Sequence, residues 1–214
     1  FCIFVENTND MKKIILLIVV LFAFVNTHAT HIMGGEITWE CIKDPNNPDV
    51  GKYIFRMKVY RDCDGTTLST FSQTIDVWDG GVNPISNISL DYVSSTDISP
   101  PGDAVNSGNA CLDCNTNPVG AVEEYLYESQ PIALPGTPPA TGWFFTWDSC
   151  CRNGAISNLV ILTPANPSEG FTLRASMFPF TDANGNILPA DPCYDNSPKF
   201  NESPKTIICI GYSF

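Results

Sequence analysis

The sequence predicts an all-β protein: a disulfide-stapled, antiparallel β-sandwich of immunoglobulin-like type, with the start of a second β-domain at its C-terminal end. Three observations carry that prediction. Apolar and polar residues alternate along several short runs, which is the period of a half-buried strand. No stretch of about 12 residues or more has the 3.6-residue period of an amphipathic helix. Nine cysteines, eight of them beyond residue 29, accompany an N-terminal export signal. Seventeen prolines and fifteen glycines fall mostly between the alternating runs, where turns need them.

In chain order, residues 1–10 precede Met11 and are set aside as an upstream extension. Met11-Lys12-Lys13, the apolar run of residues 14–25 and Asn26-Thr27-His28-Ala29 then form a secretory signal peptide over residues 11–29. Its apolar run is shorter than the roughly 20 residues of a membrane span. Cleavage after Ala29 leaves a chain that begins Thr30-His31 and inserts in no membrane.

Strands are predicted at residues 35–42, 53–61, 71–78, 85–92, 122–128, 143–149, 171–180 and 206–212. In the second, Tyr53, Phe55, Met57 and Val59 share one face, and Arg56, Lys58 and Tyr60 the other, with Ile54 as the exception. Asp44-Pro45-Asn46-Asn47-Pro48-Asp49 supplies the first connecting loop. Residues 94–117 are polar and read as a long loop that Cys111 and Cys114 could tie down. Residues 131–142 are a second Pro-rich connection. The first domain is expected over residues 30–190, with residues 191–214 opening another. The strand that ends the chain is expected to belong to that following domain.

An even set of cysteines in an exported chain reads as a disulfide framework: Cys41, Cys63, Cys111, Cys114, Cys150, Cys151, Cys193 and Cys209. Eight cysteines allow 105 pairings. Cys193–Cys209 is the preferred pair, because it closes a loop of about 15 residues, worth roughly 3 kcal/mol. The adjacent Cys150 and Cys151 point to opposite sides of a strand and so reach different partners. A four-thiol zinc site from Cys111, Cys114, Cys150 and Cys151 is the competing reading. It suffers from adjacent ligands and from an oxidising compartment.

Other chemistry is thinly supplied. The net charge of −12 is unchanged without residues 1–29, which hold Lys12, Lys13, Glu6 and Asp10. Such a charge repels nucleic acid and anionic membranes. Beyond the signal there is one histidine, His31, too little for a Ser-His-Asp or Cys-His arrangement. Glu123 and Glu124 are strand neighbours and point to opposite faces, so they cannot form a facing acid/base pair. No catalytic residue and no organic cofactor is predicted. Calcium is the other candidate cation: Asp182-Ala183-Asn184-Gly185-Asn186 matches the opening of a calcium loop through Asp182, Asn184 and Asn186, but also a hairpin turn. In Trp143-Phe144-Phe145-Thr146-Trp147, alternation sends Trp143, Phe145 and Trp147 into the core. Arg152 is placed to pair with Asp148 or to cap a turn.

Certain stretches carry a resemblance. His31-Ile32-Met33-Gly34-Gly35-Glu36-Ile37-Thr38-Trp39-Glu40-Cys41 and Tyr60-Arg61-Asp62-Cys63 come first. Trp147-Asp148-Ser149-Cys150-Cys151-Arg152-Asn153, Gly170-Phe171-Thr172-Leu173-Arg174-Ala175 and Cys193-Tyr194-Asp195-Asn196-Ser197-Pro198 follow. In order and wording they resemble the N-terminal region of large secreted Bacteroidetes surface proteins. Those proteins carry PKD-like or cadherin-like domains and a gliding-motility-associated C-terminal segment. The resemblance implies a cell-surface address and downstream β-domains as partners, and it supplies no activity. The expected function is a non-catalytic structural or adhesive module, with a protein or glycan as its surface ligand. The alternatives are a carbohydrate-binding module, which needs exposed coplanar aromatic rings, and a secreted hydrolase, which needs a pocket with paired carboxylates.

Overall fold

The computed structural model describes residues 32–99, 112–149 and 170–199. Among these there are seven strands and no helix: β1 (Ile32–Cys41), β2 (Tyr53–Asp62), β3 (Gln73–Trp78), β4 (Ser86–Asp97), β5 (Val122–Glu128), β6 (Trp143–Ser149) and β7 (Phe171–Met177). They form one antiparallel sheet in the order β1-β2-β5-β4-β3-β6-β7. The strand expected at residues 206–212 lies outside the described residues.

The sheet folds over on itself at β4. The first part of β4 pairs with β3, with Leu90 opposite Gln73, and the second part pairs with β5, with Asp97 opposite Glu123. β4 passes from β3 to β5 between Leu90 and Asp91, and a register shift follows between Tyr92 and Ser94. Bulges are how a strand bends and changes sheets at a corner. Residues 94–97 are therefore strand, although their polar sequence predicts loop.

Folding over brings the inner faces together. Trp39 of β1 and Phe55 of β2 reach Phe145 of β6, with ring centroids 5.4 and 4.8 Å apart. Phe55, Met57, Ile75, Val77, Phe145 and Leu90 are buried completely. Each such side chain contributes about 1.5–3 kcal/mol relative to exposure. The alternation expected for β2 and β6 is observed, with Trp143, Phe145 and Trp147 all inside.

The outer strands β1 and β7 approach closely enough that the sheet is nearly a barrel. A Cβ at Gly35 would lie 2.5 Å from the Lys58 carbonyl oxygen and 2.8 Å from Leu173 Cδ1 of β7. Only a residue without a side chain fits there. Gly35→Ala is therefore expected to destabilise the chain by about 1–3 kcal/mol, as overpacking does. A urea midpoint equal to that of the parent would show that β7 moves aside freely.

β7 stops at Met177 rather than continuing to Phe180 as expected, because Pro179 offers no N–H to a ladder. Similarly, β3 begins at Gln73 and leaves Phe71 exposed. The larger correction concerns the C-terminal boundary. Cys193 and Tyr194 are buried in the same core as β1–β7, and residues 193–199 form no strand. At least to Lys199, the segment expected to open a second domain packs against the first one.

Candidate functional site

Two disulfides join the described residues: Cys41–Cys193, with Cα atoms 6.1 Å apart, and Cys63–Cys114, at 5.0 Å. The expected Cys193–Cys209 pair is corrected by the first. Cys41 ends β1 beside the docked segment of residues 193–197, which brings its sulfur to Cys193. The long loop is tied as anticipated through Cys114, but to Cys63 at the end of β2. Cys111, Cys150, Cys151 and Cys209 lie outside the described residues, as do His31 and Arg152.

The segment after Cys193 is built as a latch on β1. Tyr194 N–H donates to the buried Tyr53 hydroxyl at 2.9 Å. Trp39 Nε1–H donates to the Asp195 carbonyl at 3.1 Å, and Cys41 N–H donates to Asn196 Oδ1 at 2.7 Å. Trp39 N–H donates to Ser197 Oγ at 2.8 Å, and Ser197 N–H donates to the Trp39 carbonyl at 3.0 Å. The latch thus occupies backbone groups of an outer strand that would otherwise be open to pairing with another chain. Short polar side chains that bond backbone are suited to this. That was the available signal in Asp195-Asn196-Ser197, and reading the segment as a domain entrance missed it.

Across the outer face of β1, β2 and β5, each cation of β2 lies between carboxylates. Arg56 bridges Glu40 at 2.9 Å and Glu128 at 2.5 Å. Lys58 lies 3.8 Å from Glu36 and 3.1 Å from Glu124. Glu124 Oε2 is buried and meets Lys58 as an ion pair without hydrogen-bond alignment. Hydrogen bonds from Lys199 and Arg56 hold the Glu40 carboxyl below its usual range. Most of these groups are substantially exposed, so each pair is worth about 0–1 kcal/mol. The face is solvated, and its carboxylates are taken up by cations.

Glu123 lies on the opposite face from Glu124, as alternation requires. It accepts from Arg61 Nε at 2.8 Å, with Arg61 Nη2 at 2.7 Å. Arg61 Nη1 donates to the carbonyls of Asp62 at 2.9 Å and Gly65 at 3.0 Å, and the guanidinium lies 5.9 Å from the Tyr125 ring centroid. This buried arginine holds the turn that carries Cys63. Beside it, Tyr127 O–H donates to the Ser69 carbonyl at 2.6 Å, and burial among Tyr125 and Tyr92 pushes its hydroxyl up to about 12.

At the same end, Asp97 accepts from Ser99 N–H at 2.9 Å and from Cys114 N–H at 2.8 Å. Burial works to raise its pKa, but the hydrogen bonds from Ser99 and Cys114 prevail and lower it. A lowered carboxylate stabilises the fold above its ordinary value, about 3.9, and loses that contribution as pH falls through the folded value. Asp97→Asn is therefore expected to flatten the acid limb of the stability–pH profile. An unchanged slope between pH 5 and 2, the range where such a group titrates, would contradict this.

Asp182, Asn184 and Asn186 do come together, in a hairpin turn. Asp182 Oδ1 accepts from Asn184 N–H at 2.9 Å and Asn186 N–H at 2.8 Å, and its Oδ2 accepts from Asn186 Nδ2 at 2.9 Å. Thr181 bridges to Ile187, and Gly185 takes the positive φ of 84° that the turn needs. Both carboxylate oxygens are engaged in closing the turn, a use that requires no cation. Asp182→Ala is expected to lower the Tm slightly, and calcium to leave the parent Tm where EDTA leaves it. A calcium-dependent rise would restore the loop as a cation site.

Among the described residues, no group of three or more His, Cys, Asp or Glu is placed to hold a metal ion. Trp143 and Trp147 are buried, so neither ring is free to stack on a sugar. On the outer face of β6, Phe144 is covered by the Arg174 guanidinium at 4.0 Å, and Asp148 accepts from the Thr172 hydroxyl. Again among the described residues, no helix is long and apolar enough to cross a membrane. The two disulfides are compatible with an oxidising, extracellular compartment. No protein-family model, curated protein or solved structure matches the chain.

Proposed function

We propose that this chain is a non-catalytic extracellular module of a larger cell-surface protein, with a structural or adhesive role in gliding motility or surface attachment. The observation that carries the reading is the latch: the C-terminal segment is bonded covalently to the first strand of a two-disulfide β-fold. Such a device holds the first strand and the segment of residues 193–199 in fixed relation, which suits a link in a series of domains. The predicted export signal and the resemblance to Bacteroidetes surface proteins support the same address. Downstream β-domains and a protein or glycan on a surface are its partners.

In this reading the fold is immunoglobulin-like. The order β1-β2-β5-β4 facing β3-β6-β7 repeats the two sheets of a constant-type immunoglobulin domain, strands ABED and CFG. Phe55 on the second strand packs on Phe145 of the sixth, between the strands that antibody domains join by a disulfide.

The test is immunolabelling of intact source cells together with an attachment and gliding assay on a strain lacking the gene. Surface label and weakened attachment or gliding are expected. Label that appears only after permeabilisation, or unaltered behaviour of the deletion strain, would overturn the proposal.

A further inference from the structure

We propose that the Cys41–Cys193 bond is a mechanical bypass, carrying tension across the module while the chain between the two cysteines stays out of the load path. The inference rests on the reading above, in which the module is one link of a longer surface chain. It follows from covalent topology and from the direction of the latch.

The latch runs antiparallel to β1. Asn196 contacts Cys41, and Ser197, one residue later, contacts Trp39, two residues earlier. Ile32 and Lys199, the outer ends of β1 and of the described latch, therefore lie on the same side of the disulfide. Tension that separates them opens the latch in sequence. The hydrogen bonds of Ser197 to Trp39 open before those near Cys41, and each is loaded alone rather than together with its neighbours. Opening stops at Cys41–Cys193, where the next link is covalent.

Beyond that point nothing more can extend. Strands β2 to β7 lie inside a closed loop spanning a sequence separation of 152 residues. Tension passes from β1 through the two sulfurs into the C-terminal segment and does not pull on the loop. Cys63–Cys114 lies wholly inside it, with a separation of 51 residues, and bears none of the load. The two bonds thus have different tasks: one secures a loop against the sheet, the other takes the strain.

The experiment is single-molecule stretching of the chain from Thr30 to Phe214, tethered at its two ends. Without reductant, the folded part is expected to release no more than β1 and the latch, roughly 60 Å at about 3.3–3.6 Å per residue. With a thiol reductant present at constant force, which cleaves both disulfides, a later and thiol-dependent release should follow, reaching roughly 550–600 Å in total. A Cys63→Ser/Cys114→Ser chain should behave like the parent without reductant. A Cys41→Ala/Cys193→Ala chain should release roughly 400 Å with no reductant, because Cys63–Cys114 still closes 51 residues, and if it does not fold the parent's two conditions still decide. Release of several hundred ångströms from the oxidised parent, or no dependence on thiol, would overturn the bypass. Surface labelling decides separately whether the module is a surface link at all, so the two proposals can fail independently.

Discussion

A Cys41→Ala/Cys193→Ala chain is expected to be about 4–5 kcal/mol less stable than the parent. The sequence separation of 152 residues sets the scale. Cross-linking so long a loop removes denatured-state entropy worth about 4.7 kcal/mol for 100 residues, rising slowly beyond. Cys63–Cys114 already shortens that loop in the unfolded chain, which keeps the estimate near the 100-residue figure. The loss also acts on the folded state. With the bond gone, the latch is held by Ser197, Asn196 and Tyr194 hydrogen bonds, each contributing about 0.5–1.5 kcal/mol net. When it lifts, Trp39 and Cys41 present unpaired backbone groups on an outer strand, an invitation to intermolecular pairing. Urea unfolding should therefore show a large fall in midpoint, and sedimentation should show self-association growing with concentration. A stability loss below about 1 kcal/mol would mean that the latch, not the bond, secures the segment.

How much of this was legible beforehand depends on whether a feature is local. Strands β5 and β6 occupy the residues predicted for them: Gly120 and Gly142 break the chain just before them, and β6 alternates apolar and polar faces. The opposite placement of Glu123 and Glu124 follows from the same period. The second half of β4 was hidden for a physical reason. Residues 94–97 are Ser, Ser, Thr and Asp, and they are strand only because β5 pairs with them. No apolar period announces a partner supplied from elsewhere in the chain.

Disulfide pairing was hidden in the same way. Preferring Cys193–Cys209 for its short loop weighs only the entropy of the unfolded chain. The fold decides instead which sulfurs meet, and it brings Cys41 to Cys193 from opposite ends of the described chain. The calcium-loop pattern in residues 182–186 illustrates the converse: its residues do gather, around hydrogen bonds that close a turn. Side chains that cap backbone and side chains that coordinate cations are the same types at the same short spacings. Sequence therefore shows that they converge but not what they serve.

Arg61→Met is expected to cost about 3–5 kcal/mol, the usual penalty for breaking a buried ion pair from one side. The side chain of Arg61 is 7% exposed and that of Glu123 is 17% exposed, so water cannot replace the lost cation well. The variant leaves Glu123 charged and unpaired, and it strips the Asp62 and Gly65 carbonyls of their donor. Because those carbonyls flank Cys63, the turn anchoring Cys63–Cys114 loosens with them. A second substitution separates the two contributions. Adding Glu123→Gln removes the stranded charge but leaves the carbonyls without a donor. The double variant should recover roughly half of the loss, and the remainder measures the turn. Full recovery would assign the whole effect to Glu123, whereas no recovery would show that Arg61 acts through the turn alone. A single-variant loss under about 1 kcal/mol would place Arg61 with the exposed pairs of Arg56 and Lys58, against its burial and its four carbonyl and carboxylate partners.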